Sequence, residues 1–250
     1  MKKADLILPC RVTGTRLYGK PLQFIDIEQR LTILENLVKY FDSTGIVENI
    51  CLAISDEEEN YGFIRLAEKH GWKYILGHPL NVLGRINKAI DHLKSETILL
   101  ISTENPFVFV EGLPELYKTH MSGGFDYSMF SNLPEGSVVG LIKAEALKIS
   151  ERDGLDRHRS ELVTSYIFDN KEKFELNIVE PDKKFQRPDV RITVDYPEDL
   201  AYCRRIYSAM NGRKQLVSIA QVIEFWDGDP ESRKLVESIG IDWGHGRLWS

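Results

Sequence analysis

The sequence predicts an α/β protein, a mostly parallel sheet flanked by helices. Three observations carry that expectation. Short apolar runs alternate with longer amphipathic stretches through the first hundred residues, the order that winds a parallel sheet with helices on both faces. The first and last of these runs are apolar enough to be buried on both sides, as central parallel strands are. The composition, 42% hydrophobic and 28% charged with 18 glycines and 10 prolines in 250 residues, is that of a chain that buries an ordinary core.

Taken in order, strands are expected at residues 4–9 (ADLILP), 48–54 (ENICLAI), 72–76 (WKYIL) and 97–102 (TILLIS). Between them, residues 32–41, 57–70 and 82–93 carry apolar positions at spacings of three and four behind acidic or polar starts, the pattern of helices. The second half is less regular. Strands are expected at 125–128, 138–143, 174–179 and 191–194, and helices at 113–120, 144–151 and 160–170. Helices follow at 197–210, where Pro197 suits the first turn, at 218–226 and at 231–239. Residues 180–189 (EPDKKFQRPD) read as an exposed loop. The expected organisation is one unit over 1–215, including a small mixed α/β extension at about 122–190, with a helical tail over 216–250 packed on it. The apolar stretch 107–110 is expected in the core, and 243–249 as a docked terminus or a subunit contact.

Charge and composition exclude several classes. Lys+Arg of 32 against Asp+Glu of 38 gives a formal charge of −6, which suits neither duplex nucleic acid nor an anionic membrane surface. No apolar run approaches the roughly 20 residues of a membrane span. The start, MKKADLILPC, is too short in its apolar part and too soon charged for a signal peptide, so a cytoplasmic protein is expected. Cys10, Cys51 and Cys203 are odd in number and widely spaced, which fits reduced core thiols. The six histidines show no ligand spacing.

The chemistry concentrates in a few segments. Residues 11–20 (RVTGTRLYGK) follow the first buried strand, where open α/β sheets bind ligands. Gly14 and Gly19 allow a close backbone approach, Thr13 and Thr15 offer hydroxyls, and Arg11, Arg16 and Lys20 place three cations within ten residues. The loop reads as a polyphosphate cradle or as a basic solvated turn; it is neither a Walker A loop nor a dinucleotide fingerprint. The strand at 97–102 ends in Ser-Thr-Glu-Asn-Pro and so delivers Glu104 to the same edge. Asp195, in RITVDYPEDL, is a second strand-end acid, and two carboxylates with phosphate oxygens and water make a magnesium site. Each acid is equally readable as a helix N-terminal charge. Arg85 opens a helix in NVLGR, and Arg157, His158, Arg159 and Glu161 form a charged cluster suited to an anionic acceptor or to a solvated helix start.

In this order the segments resemble the cytidylyltransferases that activate acidic sugars, the CMP-sugar synthetases. Residues 9–22 (PCRVTGTRLYGKPL) are similar to that family's A-R-x-x-S-x-R-L-P-G-K-x-L signature. NVLGR resembles DVLGR of the spore-coat-polysaccharide branch, STENP resembles TGDCP, SELVTSYI resembles REHVTPYI, and RITVDYPEDL resembles RLTVDTPEDL. The likeness spans about residues 4–210. It implies a Rossmann-like nucleotidyltransferase fold with a small extension that pairs subunits, hence a homodimer. It further implies CTP lying across the first loop. The backbone near Leu8, Pro9 and Arg11 would meet the base, Gly14 and Thr15 would allow approach, and Arg16 and Lys20 would hold the β- and γ-phosphates, with Arg85 and Ser102 completing the nucleotide-binding set. Asp195, with Glu104 in place of the usual aspartate, would ligate Mg²⁺. Arg16, Lys20 and Asp195 form the implied catalytic set. The acceptor, a 3-deoxy-2-ulosonic or nonulosonic acid sugar or a related acid, would attack the α-phosphorus and release pyrophosphate. Arg157, Arg159, Glu161, Arg187 and Arg191 are candidates for holding it.

This sequence departs from the family pattern at several places. Gly14 replaces a serine, Tyr18 a proline, Ser160 an arginine and Leu162 a histidine. Glu104 is one methylene longer than aspartate, displacing a ligand oxygen by about 1.5 Å. Two other readings follow from the residues: a nucleotide-sugar glycosyltransferase, for which Asp227-Gly228-Asp229 is the matching triplet although it reads as a turn, and a non-catalytic nucleotide-binding or partner protein.

Overall fold

From the amino terminus the chain forms β1 (Ala4–Cys10), a short hairpin of β2 (Phe24–Asp26) and β3 (Leu31–Thr32), α1 (Ile33–Thr44), β4 (Val47–Ser55), α2 (Tyr61–His70), β5 (Lys73–Gly77), α3 (Val82–Leu93) and β6 (Thr97–Leu100). It continues through α4 (Leu113–Gly123), β7 (Tyr127–Phe130), β8 (Gly140–Lys143), α5 (Ala144–Asp153), α6 (Ser165–Asp169), β9 (Leu176–Val179), α7 (Pro197–Ala209), α8 (Ile219–Gly228) and α9 (Pro230–Glu237). The structure is a computed structural model and describes residues 2–14, 16–237 and 239.

Seven strands form one sheet in the order β5-β4-β1-β6-β8-β7-β9. Only β8 runs against the others, antiparallel to both β6 and β7. The chain winds outward from β1 through β4 to β5, then crosses back to place β6 on the other side of β1. The carboxyl ends of β1 and β6 therefore border a reversal of winding, the place where such sheets open a crevice.

Strand periodicity of two divides the core between the two faces. Leu6, Leu8, Leu52, Ile54 and Leu99 pack on the face covered by α1 and α7, together with Leu34, Leu37, Phe41, Tyr202 and Ile206. Ile7, Cys51, Ala53 and Ile98 face the other way, onto Leu83, Ile86, Ile90 and Leu147 of α3 and α5. Side chains of α8 and α9 (Val222, Phe225, Trp226, Val236) share the first core. Local signals fix the helix ends. Thr32 and Glu35 form a capping box at α1, and Asn81 caps α3 by accepting from the Gly84 N–H at 2.8 Å. No helix among the described residues is long and apolar enough to cross a membrane.

The first six expected elements lie where they were expected, and α3 spans the expected 82–93. Phe107, Val108 and Phe109 are buried, and all three cysteines are free and buried. Two readings need correction, and one element is new. Residues 191–194 are not a strand: Ile192 and Val194 are buried, but their N–H groups donate to the carbonyls of Glu135 and Glu104, so the segment is threaded between loops rather than paired in the sheet. The helix expected over 160–170 is only Ser165–Asp169, because residues 156–159 form a separate tight turn, with His158 Nδ1 accepting from the Leu155 N–H. The β2–β3 hairpin was not expected. Its strands are three and two residues long, and Asp26 Oδ1 holds the turn by accepting from the Glu28 and Gln29 N–H groups. Residues 243–249 lie outside the described residues.

Candidate active site

The loop after β1 is folded by its backbone. The Gly19 N–H donates to the Val12 carbonyl at 2.8 Å, closing residues 12–19 into a compact turn, with Gly19 at φ 60. The Val12 N–H donates to Asn60 Oδ1 at 2.8 Å, and the Asn60 amide in turn donates to the Ser55 carbonyl at 2.9 Å. Asn60 is fully buried, so one carboxamide ties the loop to the end of β4. At Gly14 a Cβ would stand 2.8 Å from the Leu17 carbonyl oxygen; the turn is tight enough to exclude the family's serine without opening. Thr15 lies outside the described residues.

Across the crevice, the segment before α7 presents Asp195. Its Oδ1 accepts from Lys20 Nζ at 2.6 Å and from Arg16 Nη2 at 3.0 Å, while Oδ2 accepts from Arg191 Nη2 at 2.9 Å. The Arg16 guanidinium also lies 5.2 Å over the Tyr196 ring. Burial alone would raise the Asp195 carboxyl, but hydrogen bonds from Lys20 and Arg191 outweigh it and hold the group below the usual carboxylate range. Asp195 is therefore an anion amid three cations.

Glu104 reaches the same edge because the Val194 N–H donates to the Glu104 carbonyl at 3.2 Å, joining the loop after β6 to the segment before α7. Burial pushes its carboxyl up; Lys20 opposes this, and Asp195 and Glu161 add to it. Thr103 Oγ1 donates to the Pro9 carbonyl at 3.0 Å and closes the crevice floor between β6 and β1. Leu8 is buried within β1, paired to Leu52, and Ser102, past the end of β6, is exposed.

The other expected residues distribute unevenly. Arg11 pairs with Glu161, which brings the segment before α6 over the first loop. Arg85 is buried against Gly77, with Nη1 donating to the carbonyls of His78 and Pro79 at 2.8 Å and Nε without a partner; burial lowers its pKa. Arg157 pairs with Asp169 at the end of α6, and Arg159 with Asp156 of its own turn. Arg187 forks onto Asp189 and onto Asp227 of α8, away from Asp195. Arg191 is 4% exposed and contacts Asp195, Asp199 and Glu135. Asp227-Gly228-Asp229 is a helix junction: Asp229 accepts from the Ser232 N–H and hydroxyl at the start of α9.

Two residues that matter here were not singled out from sequence, Asn60 and Asp199. Asp199 was legible as an acid in the first turn behind Pro197; Asn60 carried no local signal. Among the described residues no three acids, histidines or cysteines are grouped to hold a metal. Glu104 and Asp195 are two oxygen donors on one edge beside the cations, a set that fits magnesium when phosphate oxygens and water complete its shell. The arrangement can hold a polyphosphate and a hard cation together.

The profile of a family described as cytidylyltransferase matches residues 6–223. The chain is 28% identical over 230 residues to the spore coat polysaccharide biosynthesis protein SpsF of Bacillus subtilis (strain 168), covering 90% of this chain and 95% of that protein. It superposes on a cytidylyltransferase from Leptospira borgpetersenii with a TM-score of 0.82 at 19% identity, covering 93% and 96% of the two chains. It also superposes on CMP:2-keto-3-deoxy-manno-octonic acid synthetase complexed with CTP, with a TM-score of 0.61 at 12% identity, covering 83% and 99%. At those identities the two structures speak to the fold, which is the Rossmann-like nucleotidyltransferase fold.

Proposed function

Since the chain belongs to the cytidylyltransferase family and is a nucleotidyltransferase, we propose that it transfers CMP from CTP to an acidic sugar, a 3-deoxy-2-ulosonic or nonulosonic acid or a related acid, releasing pyrophosphate. The observation that carries this reading is the meeting of Arg16 and Lys20 on Asp195 Oδ1 at the carboxyl edge of the sheet. Two cations on one oxygen mark a place prepared for anionic oxygens. A relative named for spore coat polysaccharide biosynthesis and a structural neighbour that is a sugar-acid synthetase bound to CTP support the choice of nucleotide and acceptor.

In this reading the triphosphate draws Arg16 and Lys20 from Asp195 Oδ1 to its own oxygens. An acceptor hydroxyl oxygen attacks the α-phosphorus in line, the bond to the β-phosphate oxygen breaks, pyrophosphate leaves and the hydroxyl proton is lost. Phosphoryl chemistry of this kind needs placed positive charge more than covalent help from protein. Arg16 and Lys20 supply that charge, and the loop closed by Asn60 and Gly19 holds them in place. Glu104 and Asp195 would hold Mg²⁺, which when bound neutralises phosphate oxygens. Arg11, Ser102 and the backbone at Leu8 and Pro9 border the nucleotide, with Arg85 buried behind and holding the carbonyls that follow β5, and Glu161, Arg157 and Arg159 remain candidates around the acceptor. Residues 1–215 form the transferase unit with 216–250 as its tail, two copies pair, and the protein works in the cytoplasm.

The test is calorimetric binding of CTP, UTP, ATP and GTP, each with and without Mg²⁺. Selective CTP binding that Mg²⁺ strengthens is expected. Equal binding of all four, or none, overturns the reading.

A further inference from the structure

Asp195 is held differently at its two oxygens. Oδ1 meets Lys20 and Arg16, whose side chains are 17% and 45% exposed. Oδ2 meets Arg191, whose side chain is 4% exposed and whose other partners include Asp199, itself 1% exposed. Asp199 in turn fixes both parts of that contact. Its Oδ2 accepts from the Asp195 N–H at 2.8 Å, the Tyr196 N–H at 2.9 Å and Arg191 Nη2 at 3.1 Å, while its Oδ1 accepts from Arg191 Nε at 3.2 Å. One buried carboxylate thus sets the backbone that carries Asp195 and the guanidinium that grips its side chain.

We infer that Arg191 and Asp199 are positioning residues: they anchor Asp195 by Oδ2 so that Oδ1 alone changes partner when a triphosphate enters. This rests on the function proposed above. The asymmetry follows from solvation. An entering phosphate offers Lys20 and Arg16 another anion, and the Arg16 pair is exposed and exchanges at little cost; nothing entering the crevice replaces Asp195 for the buried Arg191, and removing one member of a buried pair leaves an uncompensated charge. A phosphate can therefore take Lys20 and Arg16 without loosening the Arg191 contact, and the freed Oδ1 stays aimed at the crevice beside Glu104. The planar fork of arginine is required, since Nε and Nη2 address Asp199 while Nη1 reaches Glu135 at 2.9 Å; the three donors of a lysine share one nitrogen and cannot span these partners. Arg191 is on this view committed to Asp195 rather than to the acceptor.

The experiment compares wild type, Arg191→Lys and Asp199→Asn for CTP binding by calorimetry with and without Mg²⁺, alongside thermal melting. Asp199→Asn keeps an oxygen for the Asp195 and Tyr196 N–H groups and so serves if Arg191→Lys does not fold. Metal-free CTP affinity is expected to stay within about threefold, because Lys20 and Arg16 are untouched, while the gain in affinity given by Mg²⁺ falls by about tenfold or more, as for partners of metal ligands. In the background of Asp195→Asn, Arg191→Lys is expected to remove nothing further from that gain. A lower melting temperature with the Mg²⁺ gain intact overturns the inference and leaves the proposed function standing. A wild type that binds no CTP, or gains nothing from Mg²⁺, overturns both.

Discussion

Lys20 Nζ lies 2.6 Å from Asp195 Oδ1. The cation proposed to hold a phosphate is held by a carboxylate of its own chain. With Arg191 and Asp199 beneath, the three cations Lys20, Arg16 and Arg191 share the carboxylates of Asp195 and Asp199. The carboxylate is thus a competitor of the triphosphate and a candidate metal ligand at once, and these two roles can be separated.

Asp195→Asn removes the competitor and the ligand together. Without Mg²⁺, CTP is expected to bind more tightly than to wild type, by several-fold, because Lys20 and Arg16 no longer leave an ion pair to reach it. Pyrophosphate release with Mg²⁺ present is expected to fall by about 100-fold or more, the scale of losing a preorganised electrostatic group. Calorimetry and a pyrophosphate assay read the two effects, and Lys20→Ala is expected to weaken CTP binding in both conditions.

Gly14→Ser restores the residue of the family signature and is expected to do harm here. Its Cβ would stand 2.8 Å from the Leu17 carbonyl. The turn must open, so CTP affinity is expected to fall about tenfold with the melting temperature nearly unchanged, since the residue is exposed and outside the core. A titration of CTP against the variant checks this.

Asn60→Ala strips the buried link between the first loop and β4. Leaving the Val12 N–H and Ser55 carbonyl without their partner costs about 1–3 kcal/mol. Urea denaturation reads that loss, and a weaker affinity for CTP is expected to accompany it.

His120 gives the fold an acid weakness remote from the crevice. Burial pushes its imidazole down to about 4, with Nδ1 against Ser128 Oγ at 2.8 Å. The unfolded chain takes a proton near pH 6.5, which the folded chain refuses until about pH 4. Stability is therefore full above pH 6.5 and is lost as pH falls from 6.5 toward 4, by up to about 3 kcal/mol. Melting curves across that range should show the slope, and His120→Gln should flatten it.

The sequence disclosed most where one residue's neighbours on the chain decide its state. The runs at 4–9 and 97–102 are mostly apolar, as central strands are; residues 82–93 carry their periodicity and Asn81 their cap. Residues 191–194 alternate just as cleanly, yet their partners are the carbonyls of Glu104 and Glu135, which lie far away in sequence. Charge was the least legible property. Arg16, Lys20 and Asp195 meet in ion pairs, whereas Arg157, Arg159 and Arg187 are spent on acids of their own segments, of α6 or of α8, and only the folded chain reveals such pairings. Asn60 was invisible for the same reason, since its importance lies in a backbone 48 residues upstream.

The distance along the chain between Lys20 and Asp195, 175 residues, also orders events during synthesis. Strand β1 can pair with β4 once the first 55 residues have been made, and β6 soon completes its other side. At about 5–20 residues per second the ribosome needs roughly 7–28 s from residue 55 to deliver Asp195. Through that interval the basic loop exists without its internal counter-ion, and a nascent chain would carry its cations open to whatever anion is nearest.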